Sequence, residues 1–277
     1  MALIQVNFMS KALMRMVPMN VILPVDKLTF PGMPERKAEK FKTMYLLHGV
    51  FGNYTDWLSG TSIQRWAEEK DLAVVMPSGD NMFYVDQPGV NNFYGEFVGK
   101  ELVEITRKMF PLSDKREDTC IAGLSMGGFG AIRNGLKYHE TFGHIAALSS
   151  ALVLDGIEKR TNDTPLFIES RAYAEGVFGD LEKLKDSDKN PKYLAAALAE
   201  KKVKFPRIFM ACGLDDSLLF ANRDFKEYLE GLGVKVDYEE GPGAHEWDFW
   251  NRYIKKAVDW LPLEDNAAGI NSGNVGI

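Results

Sequence analysis

The sequence predicts an α/β fold: a mostly parallel central sheet flanked by helices on both faces, with a short cap insertion. Three observations carry this expectation. Apolar strand-like runs alternate with amphipathic helical stretches from about residue 44 onward, the rhythm of strand–helix–strand units. The chain has 277 residues, of which 45% are hydrophobic, enough to bury one large core. A serine framed by glycines stands where one apolar run turns directly into a helical pattern.

The opening residues, through Asn20-Val21-Ile22-Leu23-Pro24, read as two antiparallel strands joined near Ser10-Lys11. Residues 31–42 form a polar, proline-containing connection. Beyond it, strands are expected at 44–47, 72–76, 119–123, 145–148, 207–212 and 234–238, and helices at 62–70, 95–110, 126–138, 222–232 and 247–260. The last helix has the clearest stripe. Trp247, Trp250, Ile254, Ala257 and Val258 share one side, with Asp248, Arg252, Lys255 and Lys256 mostly on the other. The stretch from about 150 to 202 is too long for a simple crossover, so it reads as a cap-like insertion over the carboxyl edge of the sheet. Residues 1–263 are expected to form a single domain, and 264–277, which lack periodicity, a flexible tail.

Composition narrows the function classes. The net charge of −6 and the absence of a basic run argue against nucleic acid as a partner. No apolar stretch is long enough to cross a bilayer, so no membrane association is expected. The N-terminal Met1-Ala2-Leu3-Ile4-Gln5-Val6-Asn7-Phe8 lacks a basic segment and a cleavage site, and reads as a strand. Cys120 and Cys212 sit in apolar strand-like runs as buried, reduced thiols, which fits a cytoplasmic location.

The chemistry-bearing motif is Gly123-Leu124-Ser125-Met126-Gly127. A serine on a sharp strand-to-helix turn holds a strained backbone, and its neighbours at minus two and plus two must lack a Cβ. Such a turn lifts Oγ above the sheet, the arrangement of a nucleophile elbow. A phosphate-cradling loop is the competing reading, but its glycine spacing and lysine are absent.

A neutral serine needs a base, and the base needs a group to hold its tautomer. In doubly wound hydrolases these follow in the order serine, acid, histidine. Three histidines lie downstream of Ser125. His139 sits on the elbow helix beside Glu140 and reads as solvent-facing; His144 opens an apolar strand and reads as a satisfied edge residue. His245 lies in the turn-rich loop Gly241-Pro242-Gly243-Ala244-His245, between the last strand and the last helix, and is the expected base. The acid should follow the strand at 207–212, which leads into Asp215-Asp216. Neighbouring side chains of an extended segment point oppositely, so only one of the pair reaches His245, and the residues alone leave the choice open. An oxyanion hole requires two backbone N–H groups. One comes from Met126, after the serine; the other from the loop Leu46-Leu47-His48-Gly49-Val50-Phe51-Gly52-Asn53, with Val50 favoured over Gly49 and His48 orienting the loop.

These residues resemble the esterase D-like branch of the α/β-hydrolases. That group holds tributyrin esterases, S-formylglutathione hydrolases, feruloyl and acetyl-xylan esterases and mycolyltransferases. The likeness is nearest to the small bacterial tributyrin esterases. It rests on Tyr45-Leu46-Leu47-His48-Gly49 with Gly52-Asn53 and Trp57, Val74-Val75-Met76-Pro77, Ala122-Gly123-Leu124-Ser125-Met126-Gly127-Gly128, Gly176-Val177-Phe178-Gly179, Cys212-Gly213 with Asp216 and Leu218, and Gly243-Ala244-His245-Glu246-Trp247. The resemblance implies an α/β-hydrolase fold and places the acid at Asp216. It supports Val50 and Met126 as oxyanion donors. One departure is visible: Val50-Phe51-Gly52-Asn53 stands where S-formylglutathione hydrolases usually carry a cysteine, which weighs against a thioesterase.

The expected activity is hydrolysis of short-chain acyl or hydroxycinnamoyl esters through a Ser125–His245–Asp216 triad and an acyl-enzyme. The alternatives are an S-formylglutathione hydrolase-type thioesterase and an acyltransferase using an alcohol acceptor. Trp57 and Trp247, in or beside the expected catalytic loops, are candidates for substrate contact, with core packing the competing reading. The partner is a small-molecule ester, plant-derived esters among the candidates. No metal or organic cofactor is needed. A homodimer or larger homo-oligomer is expected from the relatives.

Overall fold

The computed structural model describes residues 1–28, 31, 32 and 40–263. The tail expected at 264–277 and most of the connection at 31–42 lie outside these residues. The strands are β1 (Ala2–Ser10), β2 (Arg15–Leu23), β3 (Thr43–Leu47), β4 (Ala73–Pro77), β5 (Thr119–Leu124), β6 (His144–Leu148), β7 (Arg207–Gly213) and β8 (Val236–Gly241). They form one eight-stranded sheet in the order β1-β2-β4-β3-β5-β6-β7-β8. β1 and β2 are an antiparallel hairpin and β2 runs antiparallel to β4, whereas every pairing from β4 across to β8 is parallel. A separate two-stranded ribbon pairs Asp86–Gln87 with Asn92–Phe93.

Burial explains why the central strands read as unbroken apolar runs. Every residue of β3, β4, β5 and β6 is buried, because helices cover both faces of the sheet. Alternation then divides their side chains. Tyr45, Leu47, Val75, Ile121, Ile145, Ala147 and Met210 enter one core layer, under α3 (Leu102–Met109), α4 (Met126–Lys137) and α7 (Leu219–Gly231). Met44, Leu46, Val74, Ala122, Ala146, Leu148 and Phe209 enter the other, with α1 (Asp56–Gly60), α2 (Ile63–Glu69) and α8 (Trp247–Trp260). β1 instead alternates, exposing Leu3 and Met9, as its edge position allows.

Three local readings are refined. The helix expected over 95–110 is interrupted: α3 is preceded by a π-helical turn, Phe97–Glu101. This turn lays Gly99 against the Tyr138 ring, where a Cβ would stand 2.1 Å from Cδ2. The last strand begins at Val236 rather than 234, because the Val234 N–H still closes the end of α7 on Leu229 C=O at 3.0 Å. His144 is not an edge residue; its strand lies between β5 and β7 and its ring meets Trp260 edge-on at 5.6 Å.

The long stretch between β6 and β7 folds into α5 (Arg171–Phe178), α6 (Pro191–Glu200) and several 3₁₀ turns. Charges tie it to the sheet layer. The fully buried Arg133 of α4 donates to Asp188 C=O at 2.9 Å and to Asp188 Oδ2 at 3.1 Å, and Lys137 adds an ion pair to the same carboxylate at 2.6 Å. Among the described residues no helix is long and apolar enough to cross a membrane.

Burial, with Arg207, Arg116 and Lys42 nearby, pushes the His144 pKa down to about 4. The unfolded chain takes up this proton near the ordinary imidazole value of about 6.5, and the folded chain only near 4. Stability from neutral His144 is therefore complete above the unfolded value and is lost as pH falls from there toward 4. The loss should be on the order of 2–3 kcal/mol. Urea unfolding of wild type and His144→Gln at pH 7 and pH 4.5 tests this. The variant should show a clearly shallower acid loss, and equal losses would contradict it.

Candidate active site

Four loops meet at the carboxyl ends of β3, β5, β7 and β8, the edge at which parallel α/β sheets present their ligands and catalytic groups. Ser125 follows β5 directly, with φ +53° and ψ −119°. A non-glycine residue keeps such a backbone only where its surroundings over-determine it. Here they do. The Ser125 N–H donates to Leu148 C=O at 2.9 Å, and its own carbonyl accepts from Ala151 N–H at 2.9 Å and Phe129 N–H at 3.0 Å. The glycines that frame the serine are needed sterically. A Cβ on Gly123 would lie 2.3 Å from Gly127 O, and one on Gly127 would lie 2.3 Å from Leu47 O and 2.6 Å from His48 O.

His245 stands between Ser125 and Asp216. Its Nε2 is 3.0 Å from Ser125 Oγ and its Nδ1 is 2.9 Å from Asp216 Oδ2. Asp215, the other acid left open by the residues, points to solvent, whereas the Asp216 side chain is 0% exposed. Burial pushes the Asp216 pKa up. Hydrogen bonds from His245 and from Leu218 N–H at 2.8 Å outweigh it, leaving the group below the usual carboxylate value. Being ionised, Asp216 can only accept, so Nδ1 carries the imidazole proton and the Nε2 lone pair faces the serine hydroxyl. The two loops also hold each other. Leu214 N–H donates to Gly241 C=O at 2.9 Å and Asp215 N–H to Gly243 C=O at 3.0 Å, extending the β7–β8 contact past the sheet. Gly243 has φ +135°, where a side chain would be strained, and a Cβ on Gly213 would meet Gly243 O at 2.2 Å.

The loop after β3 is held from behind. His48 is buried; its Nδ1 lies 2.7 Å from Gly49 O, and its Nε2 accepts from Gly79 N–H at 2.8 Å. Both contacts suit a neutral ring protonated on Nδ1, and burial lowers its pKa accordingly. A trans peptide points its C=O and N–H in opposite directions. Pinning Gly49 C=O to His48 therefore turns the Val50 N–H to the other side. Tyr84 Oη donates to His48 C=O at 3.0 Å, and Phe51 N–H donates to Asn81 Oδ1 at 2.7 Å. Among the described residues neither the Val50 nor the Met126 amide has a hydrogen-bond partner.

Ser125 and His245 open into a cavity of about 870 Å³ that also takes in Gly49, Val50 and Trp247. Trp57 does not line it. That indole is 1% exposed, spends its N–H on Leu47 C=O at 3.0 Å and supports Trp247 edge-on from behind, so direct contact with a substrate is not open to it. Part of the wall comes from the stretch between β6 and β7: Val153, Arg160, Ile168, Tyr173 and Phe178, with the Phe83 ring packed against Phe178 at 5.3 Å. The sequence pattern puts this stretch over the carboxyl edge but marks none of its side chains as wall residues. The signal available was the aromatic run Phe167, Tyr173, Phe178 inside a segment expected to cover the site. Arg160 donates to Ile168 C=O at 3.1 Å, and burial lowers its pKa, with Glu169 partly offsetting. Among the described residues no three His, Cys, Asp or Glu side chains converge as a metal site requires.

The strand order and the cluster at the carboxyl edge define an α/β-hydrolase fold. The chain belongs to the esterase family: the family described as "Putative esterase" matches residues 10–261. It is 47% identical over 261 residues to the acetyl esterase of Caldicellulosiruptor saccharolyticus, covering 94% of this chain and 98% of that one. Among solved structures it resembles FphF, a fluorophosphonate-binding serine hydrolase of Staphylococcus aureus, with a TM-score of 0.82, 32% identity and coverage of 94% and 98%. It also resembles the S-formylglutathione hydrolase FrmB of Staphylococcus aureus, with a TM-score of 0.80, 31% identity and the same coverage of 94% and 98%. The protein is a carboxylic ester hydrolase.

The clash at Gly127 yields a direct test. Both atoms a Cβ would meet are backbone carbonyls, which cannot swing aside. Gly127→Ala should cost more than about 3 kcal/mol despite alanine's better helix propensity, which returns only about 1 kcal/mol. A urea midpoint within error of wild type would refute the steric argument.

Proposed function

We propose that the protein is a serine esterase acting on short-chain acyl esters, acetyl esters foremost. Ser125 serves as nucleophile, His245 as general base and acid, and Asp216 as the group that orients the imidazole. One observation carries this reading: the continuous hydrogen-bonded chain from the buried Asp216 through His245 to Ser125, ending at the floor of a large cavity. The neutral imidazole, with its lone pair toward Oγ, takes the serine proton as Oγ attacks the ester carbonyl. The developing oxyanion is met by the Met126 and Val50 amides, which have no other partner among the described residues. The imidazolium formed next to the Asp216 carboxylate then protonates the leaving alcohol. Water activated by the same Nε2 releases the acid from the acyl-enzyme.

The acetyl preference is supported by the 47% identical acetyl esterase. At about 870 Å³ the cavity lies near the upper end of common ligand pockets, and much of it is left over beside an acetyl group. Phe83, Tyr173, Phe178 and Trp247 offer apolar walls to the rest of the substrate, whether a sugar or other plant-derived alcohol or a bulkier hydroxycinnamoyl group. A second reading is thioester hydrolysis of the S-formylglutathione type, favoured by the 31% identical FrmB structure. Transfer of the acyl group to an alcohol uses the same residues and differs only in the acceptor. A homodimer or larger assembly remains part of the reading, and soluble cytoplasmic placement is its expected setting.

Replacing Ser125 or His245 with alanine should lower kcat on p-nitrophenyl acetate by at least about 10³-fold, with folding intact by circular dichroism. Equal rates for wild type and Ser125→Ala would end the reading. p-Nitrophenyl esters of increasing chain length, methyl ferulate and S-formylglutathione, assayed side by side, should give the highest kcat/KM on acetate. A maximum on S-formylglutathione would move the assignment to a thioesterase.

A further inference from the structure

We propose that Asn222, on the first turns of α7, is a positioning residue that locks the acid loop to the nucleophile turn. This rests on the triad reading above, and it concerns a residue that touches neither the substrate cavity nor the three reacting side chains.

Asn222 is fully buried, and its carboxamide is used on both sides. Oδ1 accepts from Ser150 N–H at 3.1 Å while Nδ2 donates to Ser150 C=O at 2.9 Å, so the side chain pairs with one residue's backbone as a strand partner would. The same Nδ2 donates to Leu218 C=O at 2.9 Å. Ser150 and Leu218 belong to different catalytic loops. Leu218 N–H holds Asp216 Oδ1 at 2.8 Å, and Ala151 N–H, one residue past Ser150, holds Ser125 C=O at 2.9 Å. One amide thus spans the two supports on which the acid and the nucleophile rest.

Backbone strain shows why such a clamp is needed. Ser149 has φ +45° and Ser125 has φ +53°, conformations that serine does not hold unaided. Ser149 N–H is fixed to Ala211 C=O at 2.8 Å, and immediately after it the chain is gripped at Ser150 by Asn222. Without that grip the turn can relax through Ser150–Ala151, and the Ser125 carbonyl loses a fixed partner. The imidazole must meet Oγ on one side and Asp216 on the other. A drift of one support against the other breaks this double contact, and misplacement of about 1 Å can cost about 10²-fold in rate.

The test uses Asn222→Ala and the isosteric Asn222→Asp, which keeps an acceptor for Ser150 N–H but removes the donor to both carbonyls. Thr106→Val serves as the control. Thr106 is equally buried and its hydroxyl donates to Leu102 C=O at 2.7 Å, in α3 and away from the triad. Both Asn222 variants should lose about 10- to 100-fold in kcat on p-nitrophenyl acetate with KM within threefold, and phosphonylation by a fluorophosphonate probe should slow in parallel. The control should lose thermal stability yet keep kcat within twofold. Asn222 variants that melt lower but retain wild-type kcat, or that change KM alone, overturn the proposal. So does failure of both to accumulate as folded protein, since the role is then stability. If Ser125→Ala stays active, it is the triad reading that fails, which separates the two cases.

Discussion

The catalytic edge depends on one close contact between backbones. The Gly127 α-carbon lies so near the carbonyls of Leu47 and His48 that no side chain fits between the elbow and the end of β3. This contact fixes the first turn of α4 against the loop that carries Val50, so the Val50 and Met126 amides and the serine hydroxyl come from neighbouring segments of adjacent parallel strands. The strained turn at Ser125 persists because its N–H and C=O are both engaged, to β6 and to the segment after it.

Electrostatics complete what packing begins. Asp216 is buried, a setting that would ordinarily favour its neutral form, yet its hydrogen bonds keep it ionised. An ionised, fully desolvated carboxylate beside Nδ1 dictates the imidazole tautomer, and the tautomer turns the Nε2 lone pair toward the Ser125 hydroxyl. His48 uses the same logic to a different end. Buried and held between a carbonyl and an amide, it stays neutral and serves as a spacer that aims a peptide plane.

The aromatic side of the cavity belongs in part to a different stretch of the chain. Part of the cavity wall, with Tyr173 and Phe178, comes from the stretch between β6 and β7, anchored to α4 through Arg133, Lys137 and Asp188. Ser125, His245 and Asp216 instead sit on loops of the sheet itself. An aromatic wall carried on an insertion can vary in shape without disturbing the geometry at Ser125, which is how one fold serves many acyl and alcohol groups.

Local pattern alone determined much of this protein. Apolar runs placed the strands within a few residues, the glycine-framed serine marked the turn after β5, and the turn-rich loop at 241–245 pointed to His245 among three downstream histidines. Each of these is written in short-range periodicity or in steric needs of a single turn. Other features were decided by the tertiary structure. Period-two alternation could not say which of Asp215 and Asp216 faces the imidazole, because that depends on how the β7 and β8 loops dock through Leu214, Asp215 and Gly243. Trp57 looked as available as Trp247 until packing put one in the core and the other on the cavity wall. Asn222 carries no local mark at all, since its partner Ser150 lies 72 residues away. Contacts between segments remote in the chain depend on the assembled sheet, and no window of sequence contains it.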